Sequence, residues 1–469
     1  MIFNSLTFLV FLSIAFGLYW FVCNRNACSQ NALLVTAGYV FYGWLDWRFC
    51  GLLALSTASA YLCGRMMGKA KDVAGTGKAW MWLGVAFNFG VLGFFKYYNF
   101  FVESVSAACA GLGISLDVPT LKLVLPIGIS FYSFMAISYM VDVYRGTIGT
   151  ARNPLAFIAA HSFFPQLLAG PIGRMPQLLP QFEARRHFEY ALAVDGCRQM
   201  LWGFFKKIVI ADGCATLTDR IFLGVDSYPG SILFLGAFVY AVQIYADFSG
   251  YSDIAIGCGK LFGIKLMRNF AFPYFATNIA DFWRRWHISL TTWFRDYVYI
   301  PLGGNRCSKA KQVRNVLIVF LLSGLWHGAN WTFVIWGLVH ACLFMPLIFF
   351  RKRQEDKRDS WPRTLLGWSF TMLAVMLAWV FFRADSFGHA ISYLAHMFSA
   401  SLFVVPHQFL SMLPWILVCL VFEWFQRHRE HAFQIAAWPM MVRWPLYIVT
   451  ATICLAYQQR SGEFIYFQF

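Results

Sequence analysis

Residues Ser323-Gly324-Leu325-Trp326-His327-Gly328-Ala329-Asn330-Trp331 place one imidazole between glycines, inside an apolar run from Val316 to Phe350. Bilayer hydrocarbon penalises polar side chains and backbone groups without partners. A histidine there belongs inside the protein or beside water. What an imidazole adds is proton transfer near neutral pH. His327 is therefore the first candidate for a general base. Trp326 and Asn330 flank it as candidates to hold a substrate.

A second candidate lies in Ala280-Asp281-Phe282-Trp283-Arg284-Arg285-Trp286-His287-Ile288-Ser289-Leu290-Thr291-Thr292-Trp293-Phe294-Arg295-Asp296-Tyr297. At about 100° per residue, Trp283, Trp286, Leu290, Trp293, Phe294 and Tyr297 share one side. Arg284, His287, Thr291 and Arg295 gather on an adjoining side. The stretch reads as one amphipathic helix at the membrane surface. Asp281 is its expected N-cap, and Pro301-Leu302-Gly303-Gly304 its end. Two readings stand side by side. One is an interfacial anchor with a solvated basic face. The other is a wall of the cytoplasmic mouth of a catalytic chamber. There Arg284, Arg285 and Arg295 would attract donor phosphates, and His287 would be a second catalytic imidazole.

The third polar cluster is Gln243-Ile244-Tyr245-Ala246-Asp247-Phe248-Ser249-Gly250-Tyr251-Ser252-Asp253. An unpaired aspartate at mid-membrane costs about 2.5–3.5 kcal/mol on insertion scales. Asp247 and Asp253 should be paired, near a membrane face, or beside water. They either fix helix packing through a buried network, or Asp247 orients a histidine. Glu423 and Asp142, near span ends, read as structural. His340 reads as a packing residue, while His161 keeps both a packing and a functional reading.

These side chains need elements to position them, and the composition says what kind. The 469 residues are 59% hydrophobic, 19% aromatic and 13% charged, against about 25% charged in a soluble domain. Long apolar runs recur from end to end, so the fold class is all-α and polytopic, with about 10–12 membrane helices (re-entrant hairpins included) around a central chamber. Alternating segments of a β-barrel are not seen. The net charge of +16 does not argue for nucleic acid, because the basic residues sit in short loops between apolar runs. Twelve cysteines form no CxxC pair or zinc spacing, and no metal is expected.

Expected spans are Leu6–Val22, Ala32–Trp44, Leu52–Cys63, Ala79–Phe95, Leu121–Val141, Val194–Ala211 and Ile232–Tyr245. A hairpin over Val316–Phe350, bent near His327, follows. Leu365–Phe382, Leu410–Trp424 and Leu446–Gln458 close the chain. Pro154–Pro180 carries Pro165, Gly170, Pro171, Gly173 and Pro176, so it reads as a broken or re-entrant segment shielded by protein. Basic residues Arg65, Lys69, Lys71 and Lys78, the stretch Lys260–Arg314, and Arg351-Lys352-Arg353 with Lys357-Arg358 should be cytoplasmic. That puts the N-terminus on the periplasmic side, with the first apolar run kept as a helix. No linker or internal repeat divides the chain, which reads as one domain, residues 1–469.

Several blocks together resemble the membrane-bound O-acyltransferases, in particular their alginate-type bacterial branch. They are Ser162-Phe163-Phe164-Pro165-Gln166-Leu167-Leu168-Ala169-Gly170-Pro171-Ile172, Tyr245–Ile256, Asn278–Gly304 and Ser323–Trp331, with the opening Ile2-Phe3-Asn4-Ser5 and closing Phe464-Ile465-Tyr466-Phe467-Gln468-Phe469. The resemblance covers nearly the whole chain. It implies that His327 is the catalytic histidine and that His287 is the second position, often asparagine in other branches. It implies acetyl transfer across a bacterial inner membrane towards an exported polysaccharide of alginate or cellulose type. Acetyl-coenzyme A is the implied donor substrate, with no bound cofactor. The implied partner is a periplasmic, serine-hydrolase-like acetyltransferase. Two alternatives share some or all of these features: O-acetylation of peptidoglycan, and a non-catalytic transporter or flippase, although the paired halves common in transporters are not seen.

Overall fold

The computed structural model describes residues 1–69, 75–115, 118–350, 360–408 and 410–458. Lys71, the stretch Arg351-Lys352-Arg353 with Lys357-Arg358, and the closing block Phe464–Phe469 lie outside them. Secondary structure among the described residues is helical, without strands. By length and composition, five helical runs among the described residues can cross a membrane: Thr76–Gly111, Gly230–Leu261, Trp331–Phe349, Trp361–Arg383 and Met440–Tyr457. Leu6–Val22 and Leu413–Gln426 are shorter apolar helices. The chain is an all-α, multi-pass membrane protein, as its composition requires. It folds as two compact units, residues 1–193 with 258–266, and residues 194–257 with 267–469.

In the first unit the proline-rich segment is broken as expected. Helices Pro154–His161, Phe164–Leu167 and Met175–Glu183 are short, and each has a proline in its first turn. That is where the missing N–H costs nothing. His161 is fully buried. Its ring nitrogens lie 2.8 Å from Thr57 Oγ1 and 3.2 Å from the Tyr132 carbonyl oxygen. This is a satisfied packing histidine.

In the second unit, helical turns run without interruption over residues 194–223. Residues 230–257 of the helix Gly230–Leu261 pack against this run. Their contact is between glycines. A Cβ on Gly203 would lie 2.7 Å from the Gly250 carbonyl oxygen, and one on Gly250 would lie 2.8 Å from that of Gly203. Such close approach is the membrane-helix use of small residues.

The hairpin expected over Val316–Phe350 forms from helices Lys309–His327 and Trp331–Phe349. Its backbones touch through glycine as well. A Cβ on Gly324 would meet the Phe333 carbonyl oxygen at 2.2 Å, and one on Gly337 would meet that of Phe320 at 2.2 Å. Asn330 caps the second helix, accepting from the Thr332 N–H at 3.0 Å.

The expected single helix over Ala280–Tyr297 is not found. The chain instead forms two short helices, Ile279–Arg285 and Ile288–Phe294, separated by an extended Trp286 and by His287 at φ 43°. The backbone groups freed at the break are taken up by residues 269–271. Ala271 N–H donates to the Arg285 carbonyl, and Ile288 N–H to that of Asn269. The expected cap also moves, since Asn278 rather than Asp281 accepts the first-turn N–H. The aromatic stripe serves the protein interior rather than a headgroup layer: Trp283, Trp286, Leu290, Trp293 and Phe294 are all buried in the protein.

Candidate active site

His327 is the last residue of its helix and is only 3% exposed. Its ring meets Trp326, Trp336 and Phe382 edge-on at centroid distances of 5.0, 5.1 and 5.3 Å. His287, 1% exposed, sits with its ring centroid 6.4 Å from that of His327. Trp326 contacts both, its centroid 5.9 Å from His287. Two residues forty positions apart are thus brought together by the break at His287 and the turn after His327. Without that break, a continuous helix would carry the His287 backbone differently. Burial pushes the His287 imidazole down to about 3, so it is neutral at pH 7.

Beside the pair lies a cavity of about 310 Å³, walled mainly by apolar side chains that include Trp283, Leu290, Phe294, Val316, Phe320 and Phe344. Arg284 and Arg295 also line it, as do Thr291 and Ser323. Ser323 stands one helical turn before His327, and Leu290 and Thr291 one turn after His287. The cavity therefore offers apolar walls and two guanidinium groups, and some of its lining residues stand a helical turn from each imidazole in the chain.

The sequence-chosen residues divide accordingly. His287, His327 and Trp326 converge, while Arg284 and Arg295 share the cavity. Arg285 does not join its lining; its guanidinium pairs with Asp281 at 2.9 Å. Asn330 caps its helix and donates to the Asp385 carbonyl at 3.2 Å. Asp247 lies 2.9 Å from the ammonium of Lys207, which also pairs with Asp212 at 2.7 Å. Next to it, Lys206 pairs with Asp253 at 2.7 Å and takes a bond to Ser249. The carboxylates of the third cluster are paired, then, by two lysines that lie inside the expected span Val194–Ala211. Both are buried within helical turns. His340 packs as expected, fully buried against Trp283, Trp336 and Phe320.

Sequence reading passed over Asn269. Its side-chain oxygen lies 3.1 Å from His287 Nδ1. Nothing in its spacing marks it, because the residues it serves come eighteen to twenty positions later.

The profile of the MBOAT, membrane-bound O-acyltransferase family matches residues 148–384, half of the chain and the stretch that holds both histidines. A probable alginate O-acetylase AlgI of Azotobacter vinelandii is 44% identical over 85% of this chain and 78% of its own length. Another from Pseudomonas aeruginosa is 42% identical over 85% and 75%. A peptidoglycan O-acetyltransferase of Helicobacter pylori is 35% identical over 85% and 80%. The chain belongs to the membrane-bound O-acyltransferase family and is an acyltransferase of the membrane. That displaces the reading as a non-catalytic transporter or flippase.

Proposed function

We propose that the chain takes acetyl groups from acetyl-coenzyme A on the cytoplasmic side of a bacterial inner membrane. It passes them outward for O-acetylation of an exported polysaccharide of alginate or cellulose type. The observation that carries this is the facing pair His287 and His327 next to a cavity that presents Arg284 and Arg295. Apolar walls suit a pantetheine arm and acetyl group, and guanidinium groups suit the donor's phosphates. The imidazole of His327 takes the proton of the acceptor hydroxyl as its oxygen attacks the thioester carbonyl. The new C–O bond forms, the C–S bond breaks, and the proton ends on the departing thiolate. His287 serves the donor side. A periplasmic, serine-hydrolase-like acetyltransferase then sets the acetyl on the sugar, and the chain's N-terminus faces the periplasm.

Peptidoglycan is the second reading, favoured by the similarity to the Helicobacter pylori enzyme. Acetate labelling of cells with and without the chain separates the two. Loss of acetyl esters from the exported polysaccharide supports the first reading, and loss from peptidoglycan alone replaces it with the second. In the same cells His327→Ala and His327→Asn should abolish acetylation while the protein still accumulates. Normal acetylation in those variants would remove His327 from the chemistry.

A further inference from the structure

We infer that Asn269 is a positioning residue for His287. Its side-chain oxygen selects the tautomer with the proton on Nδ1 and the lone pair on Nε2, while its backbone carbonyl holds the bend that carries the ring. The inference rests on the reading of His287 as a working group in acyl transfer.

Asn269 is completely buried. The two ends of an amide side chain look alike in shape, so its orientation has to be argued from donors and acceptors. Here it is fixed by the main chain. The backbone N–H of Ser289, which can only donate, points at Oδ1 from 3.2 Å. The Ser289 hydroxyl donates to the same atom at 2.9 Å. The amide nitrogen on the other side donates to Ser252 Oγ at 3.1 Å. Oδ1 is thus an acceptor, and the His287 Nδ1 facing it at 3.1 Å must bear hydrogen. A neutral imidazole has one N–H, so the lone pair lies on Nε2.

The same residue restrains the backbone. Ile288 N–H donates to the Asn269 carbonyl at 2.8 Å, directly after His287 in its left-handed conformation at φ 43°. A non-glycine residue there is strained by about 1–3 kcal/mol and persists only where its surroundings hold it. One asparagine therefore determines both where the ring is and which nitrogen is basic. A carboxylate does the analogous task in hydrolase triads. A neutral amide does it without adding a negative charge that would raise the imidazole's basicity.

The test measures transfer from labelled acetyl-coenzyme A in membranes bearing the full chain. Asn269→Ala should lower kcat about tenfold to a hundredfold, the range found when an orienting partner of a histidine is removed, with KM for acetyl-coenzyme A unchanged. Asn269→Asp, which keeps an acceptor for Nδ1–H and for Ser289, should recover most of the loss. Wild-type kcat in Asn269→Ala, or equal impairment of the two variants, would overturn the assignment. An active His287→Ala would instead sink the reading of His287 itself. A nitrogen-15 spectrum of histidine-labelled wild-type protein needs no variant at position 269 to fold. The His287 resonance, identified by its loss in His287→Ala, should report a protonated Nδ1; a protonated Nε2 would reject the inference.

Discussion

The residues that meet at the site are of two kinds. His327 announces itself, since a histidine between glycines in an apolar run has few roles that repay its insertion. His287 was visible as a candidate, but its geometry was not. Periodicity placed it on a helix face, whereas a left-handed bend presents its ring to His327. The arginines show the same limit, because all three have the right charge and only contact geometry separates them. Arg284 and Arg295 line the cavity, Arg295 while paired with Asp296 at 2.7 Å, and Arg285, paired with Asp281 on a partly exposed surface, does not. Replacing Arg284 or Arg295 by alanine removes one charge-assisted contact, worth about 1.5–3 kcal/mol. KM for acetyl-coenzyme A should rise about tenfold to a hundredfold in each variant with little change in kcat. Arg285→Ala should stay within about twofold of wild type, as the loss of a surface pair predicts. Initial rates across donor concentrations distinguish these outcomes, and an Arg285 variant as impaired as the other two would remove the cavity's claim to the donor.

Among the elements, the hairpin and the proline-broken segment were legible because breakers are local. Glycine and proline act on their own neighbours, and their positions mark where a helix stops. The interruption at Trp286–His287 has no breaker of its own. It is imposed by residues 269–271, which take up the freed backbone groups, and the aromatic stripe keeps phase on both sides of it. Long-range pairing of this kind leaves no trace in a 3.6-residue period. The hairpin's energetics, by contrast, rest on glycines whose purpose only the packing reveals. A methyl group at Gly324 or Gly337 would fall 2.2 Å from a backbone oxygen of the facing helix. Backbone cannot rotate away as a side chain can, so the helices must separate, at a cost of about 1–3 kcal/mol. Gly324→Ala and Gly337→Ala should each lower the thermal midpoint of the purified protein in detergent. Gly324→Ala, one turn before His327, should also reduce acetyl transfer below what its folded fraction accounts for. A variant as stable and active as wild type would mean that the helices lie farther apart than described.

For the whole molecule the decisive quantity is charge. The chain carries a surplus of +16, and a few of its charges are kept deep in the second unit. Lys206 and Lys207 face Asp212, Asp247, Asp253 and Glu423, with Lys206 also 3.6 Å from the Glu423 carboxylate. Glu423 is further held by Trp202 and by the Tyr245 hydroxyl at 2.7 Å. Apolar scarcity of charge made the carboxylates conspicuous in sequence and required partners for them. It did not say which cations those were, because the pairs form between residues far apart in the chain. Each ion loses several kcal/mol of hydration on burial, which only close opposite charge offsets. Removing one partner therefore does far more harm than removing the whole set. Lys207→Met takes from Asp212 and Asp247 the ammonium they share and should destabilise the protein by about 3–5 kcal/mol. Adding Asp212→Asn and Asp247→Asn to it removes the two negative charges as well and should restore a substantial part of that loss, a coupling beyond the sum of the single effects. Thermal unfolding of the single, double and triple variants in detergent measures it. Additive effects would mean that the three groups are hydrated separately and that this cluster does not join residues 194–223 to residues 230–257.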